Sequence, residues 1–110
     1  MLRENATLVV ARNERWQGSV ATEPVECGWA SEAIFFIRTL GGDRCADARV
    51  QAEISPDGMH WVAAGAEGAL PKSKTEVTAL RVAHFGNWLR LTAKVPDGLE
   101  FLALVTLHLK

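Results

Sequence analysis

The sequence predicts an all-β fold, a two-layer antiparallel β-sandwich of jelly-roll type built from about seven or eight short strands. Three observations predict it. Apolar and polar residues alternate with period two in several segments. Turn-forming clusters separate those segments, and two of the clusters are Pro-Asp-Gly. No segment carries the spacing of an amphipathic helix, and Val25 to Glu32 has room for one helical turn at most.

The elements follow in chain order. Ala6 to Ala11 is a β-prone run rich in Leu and Val. Trp16 to Thr22 is a weaker strand, ended by Pro24. Ala33 to Leu40 begins apolar on both faces, which suits a central strand covered on both sides, and Gly41-Gly42-Asp43 breaks it. Ala48 to Ser55 alternates strictly: Val50, Ala52 and Ile54 face one way, Arg49, Gln51, Glu53 and Ser55 the other. Pro56-Asp57-Gly58 turns the chain, and His60 to Ala64 returns as the partner strand. In that turn Asp57 bonds the local backbone and Gly58 takes positive φ. Gly65 to Lys74 reads as a polar loop. Thr75 to Ala83 is strand-like, with a slip near Ala79 and Leu80 that suits a bulge. Asn87 to Val95 places Leu89, Leu91, Ala93 and Val95 on one face and Trp88 on the other. Pro96-Asp97-Gly98 is the second turn, with Asp97 and Gly98 in the same roles. Leu99 to Leu109 is the closing strand, apolar at every odd position.

Composition bounds the function. The chain has 110 residues, 48% of them hydrophobic and 23% charged, enough for one domain with one core. The formal net charge is −1, and no basic face is visible. Arg12 and Arg15 flank Glu14, and Lys72 and Lys74 lie next to Glu76, so no nucleic-acid partner is expected. No apolar run approaches the roughly 18 residues of a membrane span. Met1 to Asn5 lacks a secretory pattern, which places the chain in the cytoplasm or in a virion assembled there.

Little in the chain points to catalysis. No Gly-x-Ser-x-Gly elbow is present, and Gly41-Gly42 lacks the residues that complete a phosphate loop. His60, His84 and His108 recur at an interval of 24 residues, which is no metal signature and reads as three independent histidines. Asp43 and Asp47 could share a loop, but a calcium site needs more oxygen ligands. Cys27 and Cys45 are either two reduced thiols or one bridge, which geometry decides. No cofactor or metal is expected, and the chain is expected not to be an enzyme.

Surface apolarity is the sharper signal. Trp16, Trp29, Trp61 and Trp88 are candidates for core or interface. Trp61 is expected to pack on its own hairpin, Trp88 falls on a polar face, and Trp29 sits in a loop. On the closing strand Leu102 and Leu104 occupy the outward register. A thin sandwich covers each sheet on one side only, so these leucines and the two-sided Ile34-Phe35-Phe36-Ile37 segment ask for a second cover. A symmetric neighbour or a folded-back loop such as Gly65 to Lys74 would supply it. Trp29, Trp88, Leu102 and Leu104 are therefore the candidate interface residues.

The run Ala48 to Trp61, ending Ser-Pro-Asp-Gly-Met-His-Trp, precedes Gly86-Asn87-Trp88-Leu89-Arg90-Leu91 and a Pro-Asp-Gly hairpin before the last strand. This order resembles small jelly-roll or discoidin-like β-sandwich structural proteins of phage virions and phage-derived particles. The likeness covers Ile34 to Lys110, and Met1 to Ala33 has no counterpart. It implies capsid decoration, head-fibre or tail-associated roles as homo-oligomers, docked on a larger particle such as a capsid, and no catalytic residues. Similar hairpins occur in carbohydrate-binding sandwiches. The alternative expectation is therefore a carbohydrate- or ligand-binding module, with Trp29 or Trp88 stacked on a sugar ring.

Overall fold

The computed structural model describes residues 5–45 and 48–110. Met1 to Glu4, and the Asp47 of the suggested Asp43–Asp47 pair, lie outside the described residues. Among the described residues there are nine strands and no helix. They are β1 (Ala6–Trp16), β2 (Ser19–Ala21), β3 (Val25–Glu26), β4 (Glu32–Gly42), β5 (Arg49–Ser55), β6 (Val62–Ala69), β7 (Thr78–Ala83), β8 (Trp88–Lys94) and β9 (Phe101–Leu109). One sheet has the order β1-β9-β4-β7 and the other β2-β8-β5-β6, with β3 also on β8.

β2 and β3 flank the same edge of β8 and act as one interrupted strand. Counted so, the fold has four strands per sheet. The chain changes sheet at each connection between these strands except the β5–β6 hairpin. The last two strands enter between earlier ones: β9 lies between β1 and β4, and β8 between β2 and β5. This winding is the expected jelly roll.

The core forms where the two alternations face each other. Phe35 and Ile37 of β4 and Phe101, Ala103, Val105 and Leu107 of β9 are fully buried. Val50 and Ala52 of β5 and Leu89 and Leu91 of β8 oppose them from the second sheet, also fully buried. Trp16 is core as well, with its ring 5.7 Å from that of Phe101.

Several boundaries differ from the sequence expectation. β1 runs on to Trp16 rather than stopping at Ala11, because two register shifts absorb the polar Arg12–Arg15 stretch. β4 continues through Gly41 and Gly42 rather than breaking there, because a register shift after Thr39 keeps it paired with β9. Gly42 has φ +85, and a Cβ there would lie 2.7 Å from the Glu100 carbonyl oxygen, so only glycine fits. Asp43 then ends the strand: its N–H donates to the Glu100 carbonyl at 2.7 Å, and its carboxylate accepts the Glu100 N–H at 2.9 Å. Gly65 to Ala69 is strand rather than loop. β6 pairs there with β5 despite its Ala and Gly content, since the ladder bonds need only backbone.

The first Pro-Asp-Gly turn is held mostly by its own side chains. The Asp57 carboxylate accepts the N–H groups of Met59 and His60, both at 2.8 Å, and the Ser55 hydroxyl at 3.0 Å. His60 Nδ1 lies 2.6 Å from the second carboxylate oxygen. Ser55 Oγ in turn accepts the N–H of Gly58 at 2.8 Å. In the second turn the Leu99 N–H donates to the Pro96 carbonyl at 3.1 Å, and Gly98 has φ +81.

Two predictions follow from these contacts. Phe35→Ala empties a sealed site and is expected to cost about 3–5 kcal/mol in urea unfolding, whereas the same change at half-exposed Phe36 costs markedly less. The backbone and His60 bonds hold the Asp57 carboxyl well below the usual carboxylate range. A depressed folded pKa adds stability that is present above the ordinary aspartate value, about 4, and is lost as pH falls through the folded value. Urea midpoints measured on acidification below about pH 4 should therefore fall more steeply for the native chain than for Asp57→Asn. Parallel slopes would show that the turn bonds do not favour the ionised form.

Candidate functional site

The two apolar segments singled out in the sequence are neighbours in space. β4 and β9 are the paired central strands of the first sheet, so their second apolar faces merge into one outer surface. The register sets its rows. Thr7, His108 and Ile34 form one row, Val9, Thr106 and Phe36 the next. Leu104 pairs with Arg38, and Leu102 with Arg15 on one side and Gly41 on the other. Ala79 of β7 extends the Phe36 row.

Ile34, Phe36, Leu102 and Leu104 are half-buried on this face, while Val9 and Leu40 are 46% and 42% exposed. Leu102 is partly flanked by the Gly41–Gly42 bulge, with 3.6 Å from its Cδ1 to an ideal Cβ at Gly41. The segment Gly65 to Ala69 is not its cover, because β6 belongs to the opposite sheet. The Phe36 and His108 rings meet edge to face at 5.1 Å, and the Thr7 hydroxyl bonds His108 Nδ1 at 3.3 Å. Charged pairs stand at the ends: Arg15–Glu100 at 3.8 Å and Lys110–Glu32 at 4.0 Å. Arg38 beside Leu104 and Arg81 beside Ile34 interrupt the apolar rows, and arginine among apolar side chains is common in protein interfaces.

The two tryptophans among the candidate residues lie elsewhere, at one end of the second sheet. Glu26 pairs with Trp88, and the Cys27 N–H donates to the Asn87 carbonyl at 2.7 Å. Trp29 follows in a turn and is 49% exposed. Trp88 is half-buried beneath the Asp57-Gly58 turn, where an ideal Cβ at Gly58 lies 3.3 Å from the indole. The structure thus brings Leu102 and Leu104 together with Phe36 and Ile34, and leaves Trp29 and Trp88 apart from them.

The outer face of the second sheet is polar. Arg90 and Glu53 are cross-strand partners at 2.7 Å and are both largely shielded from solvent. The Arg90 guanidinium lies 4.3 Å from the Trp61 ring centroid. Sequence reasoning assigned Trp61 to its hairpin and missed this stack. The signal available was that Glu53 and Arg90 both fall on the wet register of their strands.

Cys27 and Cys45 are buried free thiols. Burial pushes the Cys27 thiol up to about 11, with the Glu26 charge adding to the effect, and burial raises Cys45 likewise. His60 is at the β5–β6 hairpin, His84 follows β7 and His108 lies on β9. Among the described residues no group of three or more His, Cys, Asp or Glu could hold a metal ion.

The sequence matches no protein-family model and no curated protein. In three dimensions the chain is similar to a chain in the structure of infectious bursal disease virus, Gx strain, with a TM-score of 0.51 and 12% identity. A chain of the Gt strain structure gives a TM-score of 0.48 and 11% identity. In both cases the match covers 96% of this chain and 31% of the viral one, so this chain spans under a third of that length. At such identity the likeness is one of fold: this β-sandwich is also a fold of a virus-structure chain.

Proposed function

We propose that the chain is a non-enzymatic structural component of a virus or virus-like particle, and that it self-associates through the outer face of the β1-β9-β4-β7 sheet. The observation that carries this reading is the row of half-exposed apolar side chains on β4 and β9, Ile34, Phe36, Leu102 and Leu104. Water is a poor solvent for such a patch, and a second copy presents the same patch in return.

The size fits. Four strands span about 19 Å, and a nine-residue strand about 30 Å, giving roughly 570 Å² of sheet face. A standard interface buries about 800 Å² per partner, which the sheet face and its flanking side chains approach. The shared fold with a chain from a virus structure supports a particle role. A place in capsid decoration, a head fibre or a tail is the finer form of this proposal, following the resemblance of Ile34 to Lys110 to phage structural proteins.

Leu104→Glu tests it. A carboxylate there would stand beside its cross-strand neighbour Arg38, and both charges would have to be desolvated between copies, which costs several kcal/mol. Light scattering should find the native chain in multiples of 12.0 kDa and the variant as a monomer with an unchanged circular dichroism spectrum. A native chain that stays monomeric at high concentration would overturn self-association through this face.

A further inference from the structure

The opposite side of the sandwich carries an open groove of about 460 Å³, whose lining mixes the apolar side chains of Val20, Ala21 and Ala93 with the polar groups of Gln51, Thr92 and Lys94. Its middle is a row in register across four strands: Ala21, Thr92, Gln51 and Glu67. Ser19 pairs with Lys94 one row away. Arg49 holds Glu67 at 3.3 Å, and the Glu53–Arg90 pair, at 2.7 Å, forms the next row beyond Gln51 and Thr92.

These groups divide into two sets. Glu67 and Glu53 are each neutralised by an arginine. Among the described residues, no side-chain hydrogen bond or ion pair engages Ser19, Gln51, Thr92 or Lys94. The groove therefore offers two hydroxyls, one amide and one uncompensated ammonium to whatever enters. The hydroxyls and the amide both donate and accept, which matches sugar hydroxyls. The ammonium adds one charge-assisted bond to an anion. Arg49, Arg90 and Lys94 against Glu53 and Glu67 leave this face a single positive charge, which suits a singly charged ligand rather than a polyphosphate or a nucleic acid, and the Thr92, Gln51 and Glu67 side chains across the floor oppose a lipid.

We infer that this groove binds a saccharide carrying a single carboxylate, such as a sialic or uronic acid unit, with Lys94 on the carboxylate and Gln51, Thr92 and Ser19 on hydroxyls. The site does not depend on self-association, because it lies on the other sheet. A failure of the Leu104→Glu test leaves it standing.

The experiment is a titration of the intact chain with sialyllactose and with lactose, followed by two-dimensional amide NMR. Sialyllactose should move the signals of Gln51, Thr92 and Lys94 in a saturable way, and lactose should bind about tenfold more weakly, the worth of one charge-assisted bond. Lys94→Met should bring sialyllactose down to the lactose affinity, and Thr92→Val should weaken both. The same spectra report that each variant is folded. The inference is overturned by silence of the groove signals, by shifts confined to other residues, by equal binding of the two sugars, or by a Lys94→Met chain that binds sialyllactose undiminished.

Discussion

The insertion of β9 between β1 and β4 is the constraint from which the rest of the molecule follows. It is the closing strand, yet it pairs with the first strand on one edge and with the Phe-Phe strand on the other. Odd positions of β9 fill the core with Phe101, Ala103, Val105 and Leu107, each fully buried. Because side chains alternate with period two, the even positions Leu102 and Leu104 are then committed to the outside. The same rule commits Ile34 and Phe36 of β4, whose neighbours Phe35 and Ile37 are sealed in the core. A single pairing decision thus creates both the core and the exposed apolar face.

The two sides of the sandwich consequently have different chemistry. One presents aliphatic and aromatic side chains with Arg38 and Arg81 among them and ion pairs at the ends. The other presents ion pairs, an amide and hydroxyls over a sheet of the same length scale. The groove on that second side sets Gln51, Thr92 and Lys94 among small apolar residues. The β5–β6 hairpin turn serves this division locally. Ser55, Asp57 and Gly58 satisfy one another's polar groups and lay a glycine against Trp88, so the aromatic ring on the wet face is part-covered by its own chain.

Much of this was legible in the residues. The period-two strands Ala48 to Ser55, Asn87 to Val95 and Leu99 to Leu109 appear with the expected inward faces except at the end of β5, where Ser55 is buried in the turn and Ile54 only half-buried, and both Pro-Asp-Gly turns fall between strands. Errors concentrated where alternation is suspended. The polar end of β1 is strand only because bulges let it follow β9, and the Ala-Gly run of β6 is strand only because β5 offers it a ladder. Neither feature has a side-chain pattern of its own. Leu102 and Leu104 were identifiable as outward-facing from register alone, whereas the place of Trp88 on the second sheet and of Trp29 in the turn after β3 needed the pairing.

The sequence by itself determined which segments are extended, which face of each is apolar, and that more apolar surface exists than two thin layers can hide. These are local properties, written in alternation and in turn residues. Only the tertiary structure decided that the two surplus faces lie side by side, that Glu53 meets Arg90 under Trp61, and that Gln51, Thr92 and Lys94 share a groove. Each of those depends on which strand pairs with which across long stretches of chain. Strand pairing uses backbone groups that are alike in every residue, so the partner is chosen by how the whole core packs rather than by any short run of sequence.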